Sequence, residues 1–82
     1  MIREVTLYTR KDCGLCDDLA ETLRRLAPDL RFTLTEQDVD ADAALRDLYN
    51  EIVPVVVVAG RVVATAPVDL RTLETALADA LG

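Results

Sequence analysis

Cys13 and Cys16 are the only cysteines of the chain, three positions apart in the run Thr9-Arg10-Lys11-Asp12-Cys13-Gly14-Leu15-Cys16. Two sulfurs at that spacing suit redox chemistry if they open a helix. Residues i and i+3 share one helix face at about 5–6 Å between Cβ atoms, and a disulfide accepts Cα separations of about 4.4–6.8 Å. The pair can then pass between dithiol and disulfide without rebuilding the fold. A helix start also offers unpaired N–H groups and the positive end of the dipole, which favour a thiolate. The thiolate is the attacking species, so Cys13 reads as the nucleophile and Cys16 as the resolving thiol.

Charges around the pair oppose one another. Arg10 and Lys11 favour a thiolate and could guide an anionic substrate, whereas Asp12, Asp17 and Asp18 act the other way. A metal site is the competing reading. Zinc generally takes four Cys, His or carboxylate ligands, and the chain has no histidine and no third cysteine. What stays open is a dimeric iron–sulfur or metal carrier sharing Cys13 from each of two chains, or a redox-inactive adaptor of the same fold. No metal ligand is assigned within the single chain.

The elements needed to hold this pair are legible in the pattern. The stretch from Arg3 to Tyr8 alternates and is rich in β-branched and aromatic residues, which predicts a strand. Leu15, Leu19, Leu23 and Leu26 recur at helical spacing, predicting a helix from Gly14 to Ala27 that stops at Pro28. A second strand is expected over Leu30–Gln37, giving a βαβ unit with parallel pairing and a right-handed crossover. Asp40 is placed to cap a helix over Ala41–Tyr49, with Ala44, Leu45 and Leu48 as its apolar side and Asn50 at its end. Val55 to Val58 is apolar on both faces, hence a central strand. Ala59-Gly60 reads as a two-residue turn, Arg61–Thr65 as the returning strand, and Asp69 as the cap of a last helix carrying Leu70, Leu73, Leu77 and Leu81.

With 82 residues there is room for one domain, spanning 1–82, and one core. Nine basic against fifteen acidic residues give a net charge of −6, with no basic stripe for nucleic acid. The longest apolar run, Ile52 to Gly60, is too short to span a bilayer. The N-terminal residues show neither the basic nor the apolar region of a secretory signal. A cytoplasmic, reducing setting is expected, where a lone cysteine pair is more often catalytic than structural.

The segment Val5-x-x-Tyr8-Thr9-Arg10-x-x-Cys13-x-x-Cys16, followed some forty residues later by Ile52-Val53-Pro54, resembles a glutaredoxin-like member of the thioredoxin-fold superfamily. The resemblance covers essentially the whole chain. It implies an α/β, thioredoxin-like fold of glutaredoxin type, βαβαββα, with a four-stranded mixed sheet flanked by helices. It further implies thiol–disulfide oxidoreductase activity on a protein disulfide or glutathione, with a reductase as electron donor and a monomeric protein. Pro54 is implied to be cis and to lie against the cysteines. Val53 would offer backbone hydrogen bonds to the substrate, and Arg10 and Asp69 would make substrate contacts. Three positions depart from the family pattern: Gly14-Leu15 between the cysteines, Thr65-Ala66 where a glycine pair is usual, and Asp69 alone of an acidic pair. No tightly bound cofactor is expected; glutathione stands as a candidate co-substrate.

Overall fold

The computed structural model describes residues 3–49 and 52–82. Strand β1 (Glu4–Thr9) leads into helix α1 (Gly14–Leu30), then strand β2 (Thr33–Asp38). A single 3-10 turn (Val39–Ala41) precedes helix α2 (Ala43–Tyr49), and the hairpin β3 (Val55–Val58) and β4 (Arg61–Thr65) runs into helix α3 (Leu70–Leu81). The sheet order is β2-β1-β3-β4. β1 pairs parallel with β2 and antiparallel with β3, and β3 pairs antiparallel with β4. This is the mixed four-stranded sheet that the residue pattern implies.

Alternation decides which side of the sheet carries the core. Val5 and Leu7 of β1 and Val56 and Val58 of β3 meet Leu19, Leu23 and Leu26 of α1 and Leu73 and Leu77 of α3 in one buried cluster. Both helices therefore cover the same face. β3 is buried at all four of its residues, as its unbroken valine run requires of an inner strand. On the opposite face Tyr8 stacks on Tyr49 of α2, with ring centroids 4.7 Å apart.

Three boundaries differ from the sequence reading. α1 does not stop at Pro28 but continues to Leu30 with the proline inside its last turn. Proline removes one N–H there, near an end that frays in any case. The stop comes instead from Arg31 at φ 58, where the N–H groups of Arg31 and Phe32 both reach the Ala27 carbonyl. The following strand consequently starts at Thr33 rather than Leu30.

Asp40 is not the cap of α2. Asp42 fills that position, its carboxylate accepting from the backbone N–H of Ala44 at 2.8 Å and Leu45 at 3.3 Å. Asp38 likewise accepts from Asp40 N–H and fixes the 3-10 turn. Nor does the apolar side of α2 bury: none of its residues is buried, and Leu48 is 67% exposed. With only seven residues, α2 covers too little of the sheet to seal it. The expected helix end at Asn50 lies outside the described residues.

Candidate active site

The loop that presents the cysteines is bent by one residue. Asp12 takes a left-handed φ of 58, a conformation that aspartate tolerates better than most side chains. The turn leaves Cys13 in an extended conformation as the N-cap of α1, and Gly14 begins the helix. Cys13 thus stands half-exposed outside the first helical turn, while Cys16 lies inside it and is fully buried.

The two residues meet through that cap. The backbone N–H of Cys16 donates to Cys13 Sγ at 3.2 Å, and Asp17 N–H donates to the Cys13 carbonyl at 3.0 Å. Both cysteines are free thiols. Burial, the largest influence, and the hydrogen bond to Cys13 push the Cys16 thiol above its ordinary value, whereas hydrogen bonds from Thr9 and the Arg10 backbone pull it down. The arrangement offers one accessible sulfur backed by one protected sulfur. That is the layout that stepwise thiol–disulfide exchange needs.

Thr9 had no role in the sequence reading, yet its hydroxyl is a neighbour of the Cys16 thiol. A signal for it was available. Period-two alternation puts Thr9 on the same face as Val5 and Leu7, the face that α1 covers.

The remaining residues singled out from the sequence fall in different places. Val53 is half-buried and Pro54 is fully buried, joined by a cis peptide bond immediately before β3. Because Tyr8 pairs with Val55 in the antiparallel register, continuing one step brings Pro54 level with Thr9, at the mouth of the cysteine loop. Arg10 makes a two-point ion pair with Asp40, Nε and Nη2 lying 3.0 and 3.1 Å from the two carboxylate oxygens. The pair ties the cysteine loop to the 3-10 turn. Asp69 caps α3, accepting from Thr72 N–H at 2.9 Å and the Thr72 hydroxyl at 2.8 Å. Those bonds hold its carboxyl below the usual range, the backbone N–H contributing most. A second cis bond, Ala66–Pro67, precedes this cap. Among the described residues no three His, Cys, Asp or Glu side chains converge to hold a metal ion, and no helix is long and apolar enough to cross a membrane.

Comparison with known proteins agrees with this fold. The sequence profile of a glutaredoxin-like domain (DUF836) matches residues 4–78. A protein of Mycobacterium tuberculosis is 36% identical over 63 residues, which is 71% of this chain and 65% of that relative. A Mycobacterium bovis protein matches to the same extent. The chain thus spans just under two thirds of the length of these relatives. Among solved structures, the X-ray structure of a structural-genomics target protein from X. campestris superimposes with a TM-score of 0.77 at 36% identity, over 93% of this chain and 97% of that one. The solution NMR structure of a Nitrosomonas europaea protein gives 0.77 at 26% identity, over 92% and 91%.

Proposed function

Because the chain belongs to the glutaredoxin-like domain family and has a thioredoxin-like fold, we propose that it is a dithiol–disulfide oxidoreductase, with Cys13 as nucleophile and Cys16 as resolving thiol. One observation carries the reading: the accessible Cys13 sulfur caps the helix whose first turn buries the other, accepting a hydrogen bond from the backbone N–H of Cys16.

The reaction runs in two exchanges. The Cys13 thiolate attacks one sulfur of a substrate disulfide; that S–S bond breaks, a mixed disulfide with Cys13 forms, and the other substrate sulfur leaves as a thiolate. Cys16 then loses its proton and attacks Cys13 Sγ. The mixed disulfide breaks, Cys13–Cys16 closes, and the second substrate sulfur leaves as a thiolate. Two electrons have passed to the substrate, and the leaving thiolates take up the two protons the cysteines gave up. An external thiol such as glutathione, or a dithiol reductase, returns two electrons and two protons to the protein disulfide. The sulfurs themselves carry the electrons, so no resident cofactor is required. A reducing compartment such as the cytoplasm keeps a lone pair of this kind in its dithiol form.

The other residues support this pair. Pro54 lacks an N–H and is buried at the mouth of the loop, so Val53 presents the backbone groups nearest an extended substrate. Arg10 is engaged by Asp40, which makes it a positioning residue for the loop. Asp69 holds the start of α3.

Replacement of the cysteines tests the assignment. Cys13→Ser is expected to abolish disulfide reduction, and Cys16→Ser to accumulate a covalent adduct with substrate, read by intact mass. Equal residual activity in the two variants, with no adduct, overturns the roles given.

A further inference from the structure

A trough opens directly beside the cysteine turn. It is lined by α1, by the Ala66–Val68 turn and by the start of α3, and has a volume of about 460 Å³. Leu15, which sits between the two cysteines, forms its mouth and is 51% exposed; Leu70 opposite is 54% exposed. The floor is apolar. Its charged lining is mostly acidic: Asp18, Asp29 and Glu74 against one guanidinium, Arg25, which is itself paired with Glu21 at 3.0 Å.

We infer that this trough seats the polypeptide that carries the substrate disulfide, an extended segment of apolar and positively charged residues flanking its cysteine. The inference rests on the oxidoreductase reading, since it gives that site its substrate class. Length is the first argument. Leu15 and Asp29 are fourteen residues apart on α1, about 21 Å at 1.5 Å per residue. An extended chain rising about 3.3 Å per residue fills that length with roughly six residues. A tripeptide such as glutathione leaves half of it empty.

Charge is the second argument. Three carboxylates around an apolar floor repel an anion and attract a cation, and at close range in water each is worth about fivefold in binding. A second copy of this chain, at net −6, is a poor occupant on the same ground.

The test uses the whole protein in its dithiol form and one turnover, so no other reductant is needed. Reduced protein is mixed with symmetrical disulfides of six-residue peptides, one containing Leu and Lys around its cysteine and one containing Leu and Glu. Glutathione disulfide and hydroxyethyl disulfide run alongside. Formation of Cys13–Cys16 is followed by acid quench and mass spectrometry, and every rate is divided by the same protein's rate on hydroxyethyl disulfide. The Lys peptide is expected to exceed both the Glu peptide and glutathione disulfide by about tenfold or more at low salt. That advantage is expected to shrink towards unity near 1 M salt, where the Debye length is about 3 Å. It is also expected to shrink in the double variant Asp29→Asn, Glu74→Gln, whose two sites are exposed and leave the core intact. Equal rates for the two peptides, or an advantage indifferent to the double variant, overturns the proposed substrate class while leaving the redox reading in place. If hydroxyethyl disulfide itself fails to oxidise the pair, the redox reading falls and takes this inference with it.

Discussion

The resolving step is the place where burial of Cys16 should be measurable. An ordinary cysteine thiol titrates near 9.0, and burial together with Cys13 moves Cys16 above that value. A thiol at 9.0 is about 1% thiolate at pH 7, and the fraction grows about tenfold per pH unit below the midpoint. In the mixed disulfide Cys13 is neutral, so its influence on Cys16 disappears, but burial, the largest cause, remains. Attack by Cys16 should therefore accelerate close to tenfold per unit between pH 6 and pH 8. Thr9→Val supplies the structural control. It keeps a β-branched residue at the end of β1 while removing the hydroxyl that favours the Cys16 thiolate, so the thiol shifts further upward. The sign follows: at any pH in that window the variant resolves more slowly, and its profile moves to higher pH. The assay is rapid quench of a single turnover with hydroxyethyl disulfide, counting the mixed-disulfide mass as it appears and decays. A resolution rate flat from pH 6 to pH 8, or a faster Thr9→Val protein, refutes the reasoning.

Two further outcomes concern stability. Ala59 holds φ 51 in the β3–β4 turn, and a non-glycine residue in that region costs about 1 kcal/mol; Ala59→Asn suits the turn and is expected to raise the unfolding free energy by up to that much, read as a higher denaturation midpoint at unchanged m-value. Asp69 has a carboxyl whose folded-state titration is depressed below 3.8 by the Thr72 N–H, so its contribution is present above that pH and vanishes as pH falls further. Asp69→Ala is thus expected to be less stable than the parent at pH 7, with the two acid-unfolding curves converging below about pH 3.8; a constant gap down to the lowest pH overturns this account.

How much of this was legible in the sequence depends on where the information lay. Periodicity placed α1, α3 and the buried β3 because each carries enough leucine or valine on one stripe to be fixed by burial alone. At α2 it placed the helix but not its burial: Ala44, Leu45 and Leu48 have helical spacing, but the helix is too short to bury them. Local rules named the α3 cap, Asp69, but failed at the α2 cap for a different reason. Asp38, Asp40 and Asp42 alternate along five residues, and any of them could start a turn. Only a tertiary contact separates them: Arg10, thirty residues away, engages Asp40 in two hydrogen bonds and leaves Asp42 to cap the helix. Pro28 misled in a similar way, since the helix end is decided by the left-handed Arg31 and the anchoring of Phe32 in the core. The place of the cysteine pair at the start of a helix was legible because that geometry is local. Thr9 was not, because its part depends on which face α1 covers.

That locality also explains why the two sulfurs are unequal. The buried stripe of α1 runs Cys16, Leu19, Ala20, Leu23 and Leu26, so Cys16 is its first member and is drawn in by the same packing that buries the leucines. Cys13 stands three residues earlier, where the stripe would continue only if the helix did. The left-handed bend at Asp12 ends the helix before it reaches Cys13, and the sulfur is left on the cap with its face to solvent. The exposed and the buried sulfur are thus told apart by one backbone turn and one helical phase. Moving both cysteines one position along α1, to 14 and 17, would keep their spacing and place both at exposed positions.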